Sequence, residues 1–561
     1  MHHDLTIRRK LLIMLSVMAS LFLVALDQTI ISTALGRIVQ DFNAYSALGW
    51  IVTSYLITST IAVPIAGKLS ELFGSRLMLL VGVSIFAAGS LFSGLSGSVE
   101  QLILWRAVQG IGGGIITANA FTIVGDLFAA RERGKWQGLI GATFGISSVV
   151  GPLLGGFLTE SHSFFGLTTD WRWTFFINIP IAIAAFIVIA ILCPSLRRED
   201  KPRVDYVGAA LLTVALATLV LAVDNTEQVF SGLLDATGMS LTVLRVIMGA
   251  IVVAAVTGLI LVERRVKEPI IDLHFFKNKN FLILMGIAAF VGAAMLGSIL
   301  YLTQFNQQVF NASPTQSGLM LLPMIGGLMV VSITTGQLVS KFGRYKRFML
   351  IGFTIATLGI LGLLTLTPDS PYIQEAIIMV FVGAGIGAAM PLMNIAVQNE
   401  FSQKELGAAT SSSQLFRGLG STIGTAIFAG MLTLGLTNAL GDMRQDAYIQ
   451  TLEQSPAATS LENVNDANTL LNLNTTATKE SILNGVKQAT AGAPVAVQTA
   501  AVEKVTTQQA EYSNRVVHAF SDSLHRIFTV TAVLMFLALI LSSLLKERPL
   551  KHAKPEETPG L

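Results

Sequence analysis

The chain has 561 residues, 52% of them hydrophobic and 13% charged, with a formal net charge of +3. A soluble domain carries about 25% charged residues, so a water-surrounded fold is excluded and lipid is the expected solvent. The small net charge gives no basis for a nucleic-acid partner, and the single Cys193 excludes an intramolecular disulfide framework or a thiolate metal cluster.

A helix needs about 20 mostly apolar residues to cross about 30 Å of hydrocarbon. On that length the sequence predicts fourteen spans, over 11–33, 49–70, 77–97, 101–125, 135–159, 173–193, 206–223, 246–262, 281–305, 316–340, 348–366, 374–397, 406–434 and 519–545. The first follows Arg8, Arg9 and Lys10 and contains Asp27. It is longer than the apolar part of a cleaved signal peptide, so it is read as a membrane helix. Lys and Arg favour the termini and the connections after even-numbered spans by roughly three to one, which sets those segments in the cytoplasm. An even number of spans requires the same. The expectation is an all-α, multi-pass protein of the cytoplasmic (inner) membrane with both termini inside.

An internal repeat organises the chain. Gly67-Lys68-Leu69-Ser70-Glu71-Leu72-Phe73-Gly74-Ser75-Arg76 follows the second span, and Gly336-Gln337-Leu338-Val339-Ser340-Lys341-Phe342-Gly343-Arg344 follows the tenth. Both read G-x-L-x-x-x-x-G with basic residues beyond. The repeat predicts a six-helix bundle over 1–200, two inserted spans over 201–270, and a second six-helix bundle over 271–561. Asp224 and Glu227 sit at the outer end of the seventh span, and no carboxylate stands clearly mid-membrane in the second bundle. The polar stretch 435–518 is an extracellular loop, with 497–520 able to extend the last helix outward. It is either a partly ordered loop or an element that guides substrate or meets an extracytoplasmic partner.

Several intramembrane features carry chemistry. Leu26-Asp27-Gln28-Thr29 lies inside the first span and Leu104-Trp105-Arg106 with Gln109-Gly110 inside the fourth. A charge inside hydrocarbon is expensive and marks a functional site by default. At 1.5 Å per residue, Asp27 stands about 24 Å and Arg106 about 22 Å above the inner surface, so the two share one depth. Arg106 either tunes the protonation of Asp27 or bonds backbone carbonyls. The fifth span contains Gly145, Gly151, Pro152, Gly155 and Gly156, where glycine permits close packing and proline removes a donor and bends the helix. Asn119, Gln304, Asn306, Asn394, Gln398 and Arg417 are polar groups within or at the ends of spans, able either to line a cavity or to bond helix to helix. No phosphate-binding loop, metalloprotease motif or nucleophile elbow is present, so ATP hydrolysis and hydrolase chemistry are not indicated.

Taken together, these motifs resemble the fourteen-spanner drug:proton antiporters of the major facilitator superfamily, over nearly the whole chain except 435–518. Gly36 stands where the family's first-helix motif usually has Pro, Glu71 where Asp is commoner, and Ser75 where a basic residue is usual. The resemblance implies two bundles that rock around a central cavity, with Asp27 and Arg106 as the proton-coupling pair. It implies a cytoplasmic gate built from Gly67, Glu71, Gly74, Arg76, Asp126 and Arg131, mirrored by Gly336, Gly343 and Arg344, with Glu71 paired to basic residues and to Asp126. It assigns the fifth-span motif to antiport rather than symport. The implied activity is export of lipophilic, cationic drugs, with no cofactor other than a proton gradient. Export of a lipid, glycolipid or metabolite is the alternative, ahead of an uptake symporter or a non-transporting sensor.

Overall fold

The computed structural model describes residues 6–42, 48–159, 163–164, 167–194, 204–223, 226–441, 443–453 and 467–550. Asp224, the basic cluster 197–203 and the last eleven residues lie outside them. Among the described residues, fourteen helical segments are long and apolar enough to cross a membrane.

The first half comprises α1 (Ile7–Phe42), α2 (Leu48–Phe73), α3 (Ser75–Gly94), α4 (Val99–Leu127), α5 (Arg133–Thr159), α6 (Trp173–Phe176) and α7 (Asn178–Leu192). The expected sixth span is thus two helices that meet at Ile177. Pro180 has no N–H to offer the Phe176 carbonyl, which ends the shorter one. A two-residue antiparallel ribbon, Ser163–Phe164 with Leu167–Thr168, precedes it.

Next come α8 (Tyr206–Val223), the short α9 (Thr226–Thr237) and α10 (Leu241–Glu263). Helices α8 and α10 pack on each other, and α8 rests on α2. Leu212, Leu216 and Leu259 join Ile61 and Ile65 of α2 and Leu415 and Leu419 further on, so the inserted pair covers a seam between the halves.

The second half comprises α11 (Lys279–Val309), α12 (Pro314–Met320), α13 (Leu322–Phe342), α14 (Lys346–Leu363), α15 (Tyr372–Glu400) and α16 (Leu406–Leu440), then α17 (Ala447–Glu453), α18 (Ala467–Leu473), α19 (Thr476–Ala489) and α20 (Val495–Leu544). The expected tenth span is also broken. Pro323 cannot donate to the Leu319 carbonyl, and α12 stops before Leu321.

The stretch read as a loop is largely helical among its described residues. Helix α20 has 50 residues and is about 75 Å long, so it spans and then projects well beyond the bundle. Tyr448, Ile449, Leu452, Leu470 and Leu471 pack on Val505, Tyr512 and Val516 of α20, in the same core cluster as the second bundle. Tyr512 donates to the Leu470 carbonyl at 2.8 Å, and Gln308 at the end of α11 bonds both Leu471 and Asn474. These contacts make α17–α19 a cap on the second half.

The cap marks one end of the bundle, here the loop face. The termini share the other, the terminus face, where Arg9 donates to the Leu192 carbonyl and Asn280 to the Lys546 carbonyl.

Candidate functional site: a sealed ion pair and two inter-half seams

Two Gly-lined contacts bring Arg106 into the first half. A Cβ on Gly110 would lie 2.4 Å from the Tyr55 carbonyl of α2, and one on Gly112 would lie 2.4 Å from the Phe86 nitrogen of α3. Only glycine allows α4 to run backbone-to-backbone against both neighbours. Arg106 then points at α1, and its Nη1 lies 2.5 Å from Asp27 Oδ2.

The pair is fully enclosed, with Asp27 0% and Arg106 1% exposed. Gln109, one turn along α4, donates to Asp27 Oδ1 at 2.9 Å and accepts from Arg106 at 2.8 Å. Asn178 reaches Asp27 Oδ1 at 3.5 Å and donates to Ser90 at 2.9 Å. The guanidinium lies over the Tyr55 ring, 4.5 Å from its centroid, and its Nε donates to the Ile51 carbonyl at 3.4 Å. Burying two charges is tolerable only when geometry is close and remaining lone pairs are satisfied, and here both carboxylate oxygens are bonded. Arg106 thus contacts both Asp27 and a backbone carbonyl, the two arrangements the sequence left open. Tyr55, Gln109 and Asn178 complete a site of which sequence reasoning named only the two charges. Gln109 was visible in principle, three residues from Arg106 on one helix face.

The remaining predicted residues gather mainly at the terminus face. Gly74 has φ 89 and Gly343 φ 71, so the second glycine of each repeat copy makes a turn that other residues resist. The first glycine of each copy touches the opposite half. A Cβ on Gly67 would lie 2.0 Å from Ser411 Oγ, and one on Gly336 would lie 2.2 Å from the Gly134 carbonyl. The copies thus build two equivalent seams, α2 on α16 and α13 on α5.

Glu71 does not meet Asp126, contrary to the expected network. Its Oε1 accepts the Ala408 N–H at 2.7 Å, in the first turn of α16, while Oε2 lies 3.4 Å from Lys68. A carboxylate there satisfies a free amide and complements the helix dipole. Asp126 instead accepts from Ser75 at 2.6 Å and from Gln403 at 3.4 Å. Serine at position 75 thus supplies a donor where a cation was expected. Arg76 donates to the Ala190 carbonyl. Arg131 crosses to the Ser340 carbonyl at 2.6 Å and to the Lys341 carbonyl. Arg344 is exposed and has no ion pair among the described residues.

Of the expected cavity residues, four are packed away. Asn119 is 0% exposed and bonds the Ile115 carbonyl of its own helix. Gln398 donates across the halves to the Phe121 carbonyl at 3.0 Å, and Asn394 bonds Gln414 and Gln137. Asn306 is 0% exposed near the loop end of α11. Gln304 is half-buried with an unpartnered oxygen. Arg417 is half-buried, and its guanidinium lies 5.7 Å from the Phe144 centroid of the opposite half, with no hydrogen bond or ion pair of its own among the described residues. In α5, Gly145 faces Ile325 and Met329 of α13, Gly151 meets Thr29 of α1, and Pro152 faces Gly318 of α12. Gly155 is buried and Gly156 half-buried.

Residues 17–425 match the Major Facilitator Superfamily. The chain is 35% identical over 452 residues to the multidrug transporter protein MdtP of Bacillus subtilis (strain 168), covering 81% of this chain and 80% of the relative. It is 33% identical over 431 residues to multidrug resistance protein 3 of the same organism, covering 77% and 81%. Among solved structures, the proton:xylose symporter XylE aligns with a TM-score of 0.54 and 19% identity, over 76% of this chain and 90% of that one, which is a likeness of fold. With fourteen spans, a repeat that builds two matched seams and relatives along most of its length, the chain belongs to the major facilitator superfamily.

Proposed function

We propose that the protein is a proton-coupled antiporter that exports lipophilic compounds across the cytoplasmic membrane by alternating access. The observation that carries this reading is the Asp27–Arg106 pair, enclosed at 0% and 1% exposure with a 2.5 Å contact. A carboxylate held by one cation and two amides can give that cation up when it takes a proton. The terminus face is the cytoplasmic one, in keeping with its Lys and Arg content. The many inter-half contacts there correspond to a state closed to the cytoplasm, so protons and departing substrate exchange on the loop face. The names of the Bacillus relatives support drug-like substrates.

Asp27 has no exposed surface, so a cationic substrate would not meet it directly in this state. Coupling then runs through helices. Thr29 of α1 donates to the Ser147 carbonyl of α5 at 3.1 Å, and α5 forms the seam with α13. Protonation of Asp27 loosens α1 from α4, and the movement reaches the gate through α5. Cationic drugs remain the first class to test, with lipids and metabolites next. The proton gradient replaces any cofactor, and the cap offers a surface to an extracytoplasmic partner.

The test is proton release from energised inverted vesicles on adding lipophilic cationic dyes, wild type beside Asp27→Asn. Substrate-evoked proton movement lost in Asp27→Asn is the expected result. Equal proton movement in both would overturn the assignment of Asp27.

A further inference from the structure

The second half contains a buried acid that the coupling pair does not use. Glu375, in the first turn and a half of α15, is 0% exposed, and neither carboxylate oxygen has a hydrogen-bond partner. Its polar neighbour is Asn306 of α11, also 0% exposed, whose side-chain nitrogen and oxygen both lack partners. Tyr372, one turn earlier on α15, is the titratable group on which a Glu375 charge would act. Its hydroxyl is committed to the Met320 carbonyl at 2.8 Å, and its ring packs on Phe310. Tyr301, the titratable residue in the loop-face half of α11, is 1% exposed, and Lys279 lies at the helix's other end. Helices α5, α13, α14 and α16, which also pack on α15, give Glu375 no hydrogen bond or ion pair among the described residues.

An ionised carboxylate enclosed without a cation, with the Asn306 amide as its one neighbouring donor and no well-formed hydrogen bond to it, costs several kcal/mol, whereas a carboxylic acid in the same place does not carry that penalty. A carboxylic acid also has a proton to offer the Asn306 oxygen, which itself lacks a donor. The repeat sharpens the point. Asp27 and Arg106 lie on the first and fourth spans of the first half. Asn306 and Glu375 lie on the first and fourth spans of the second half, again toward the loop face. The same pair of spans therefore holds an acid with a cation in one half and, with the acid on the other helix of the pair, an acid without a cation in the other. Glu375 is four residues into α15, about 6 Å of helix from its loop-face end, so a small opening there exposes it to the outer solution.

We propose that Glu375 is a second proton-binding site, holding a proton while the terminus face is closed and exchanging it at the loop face during the transport cycle. The inference deepens the antiport reading and rests on it for the cycle, but its first test does not need transport. In full-length protein in lipid nanodiscs, infrared difference spectroscopy should show a carboxylic-acid carbonyl band at neutral pH. That band should be lost in Glu375→Gln and kept in Asp27→Asn. A band unchanged in Glu375→Gln overturns the proposal. Should that variant not fold, dicyclohexylcarbodiimide, an apolar reagent for protonated carboxyls, keeps the question open to test on the wild type. Mass spectrometry should find Glu375 modified, more slowly as pH rises, and no modification at any pH overturns the proposal. In the vesicle assay, Glu375→Gln should halve the protons moved per dye molecule, and an unchanged ratio would remove Glu375 from the cycle. Loss of proton coupling in Asp27→Asn is scored separately, so failure of the antiport reading is distinguishable from failure of this one.

Discussion

Gly336→Ala should open the terminus face. The new Cβ would lie 2.2 Å from the Gly134 carbonyl, a backbone atom that cannot rotate away. Overpacking of this kind costs about 1–3 kcal/mol. The clash exists only while α13 lies on α5, so the cost falls on the closed state rather than on folding. At 1.4 kcal/mol per factor of ten, the ratio of closed to open molecules should fall about five- to a hundredfold. Spin labels at Glu132→Cys and Phe342→Cys flank the seam at exposed positions. Cys193, buried and the single native thiol, is replaced by Ser to keep the labelling specific. Pulsed dipolar distances should lengthen in Gly336→Ala. Gly326→Ala, on the same helix with nothing within 4 Å of the added Cβ, should match the parent. If Gly336→Ala leaves the distances unchanged while Gly326→Ala does too, the seam is not a close-packed gate and the reasoning is wrong.

Glu71→Ala removes the acceptor of the Ala408 N–H and should shift the same closed-to-open ratio by about 1 kcal/mol, at the lower end of the glycine effect. Arg106→Ala strands a buried carboxylate and should destabilise the protein by about 3–5 kcal/mol, read as a lower melting temperature. Adding Asp27→Asn should recover most of that loss, and strict additivity of the two changes would show that the residues do not interact. Partial burial lowers the pKa of Lys479 on the cap, where its Nζ donates to Ser513 at 3.0 Å. A base with a depressed folded pKa is penalised below that value, so cap stability should rise with pH into the alkaline range. Lys479→Met should slow amide exchange in α19 at neutral pH and flatten that dependence.

How much of this was legible depended on whether one residue or several elements determine the feature. Asp27 and Arg106 stand out because a charge within a long apolar run has few physical explanations, and helical rise alone sets them at one depth. The repeat glycines were legible for a similar reason, since positive φ and close backbone approach both demand glycine. Tyr55 and Asn178 were not, because a neutral polar residue in an apolar helix is common and only tertiary packing brings these two to Asp27. The breaks at Ile177 and Leu321 were written in Pro180 and Pro323 but outweighed by continuous hydropathy. Glu375 was passed over because an acid in a first helical turn ordinarily serves the dipole from a solvated surface. Its enclosure comes from α11 and from Tyr372 closing on Phe310, which no local pattern encodes. The cap was hidden for the same reason: α17–α19 are short and polar, and they become stable by packing on an extension of α20 that reads as loop when hydropathy is the guide.

On the antiport proposed above, the arrangement would separate the proton from the cargo. Asp27 is sealed by Arg106, Gln109 and Asn178, while Arg417 stands half-buried against Phe144 of the opposite half with its guanidinium unbonded among the described residues. A carrier whose substrate competed for the coupling acid would need that acid in the cavity wall. Here the unbonded charge between the halves is a cation, and the acids are enclosed within each half. Binding between the halves can then sense protonation only as a change in how helices pack. That arrangement would admit substrates of differing charge, because none of them would have to replace a proton at a carboxylate. Specificity would rest on groups between the halves such as Arg417 and Phe144, and coupling on the two enclosed acids. Selectivity and proton coupling would then be open to change by separate mutations.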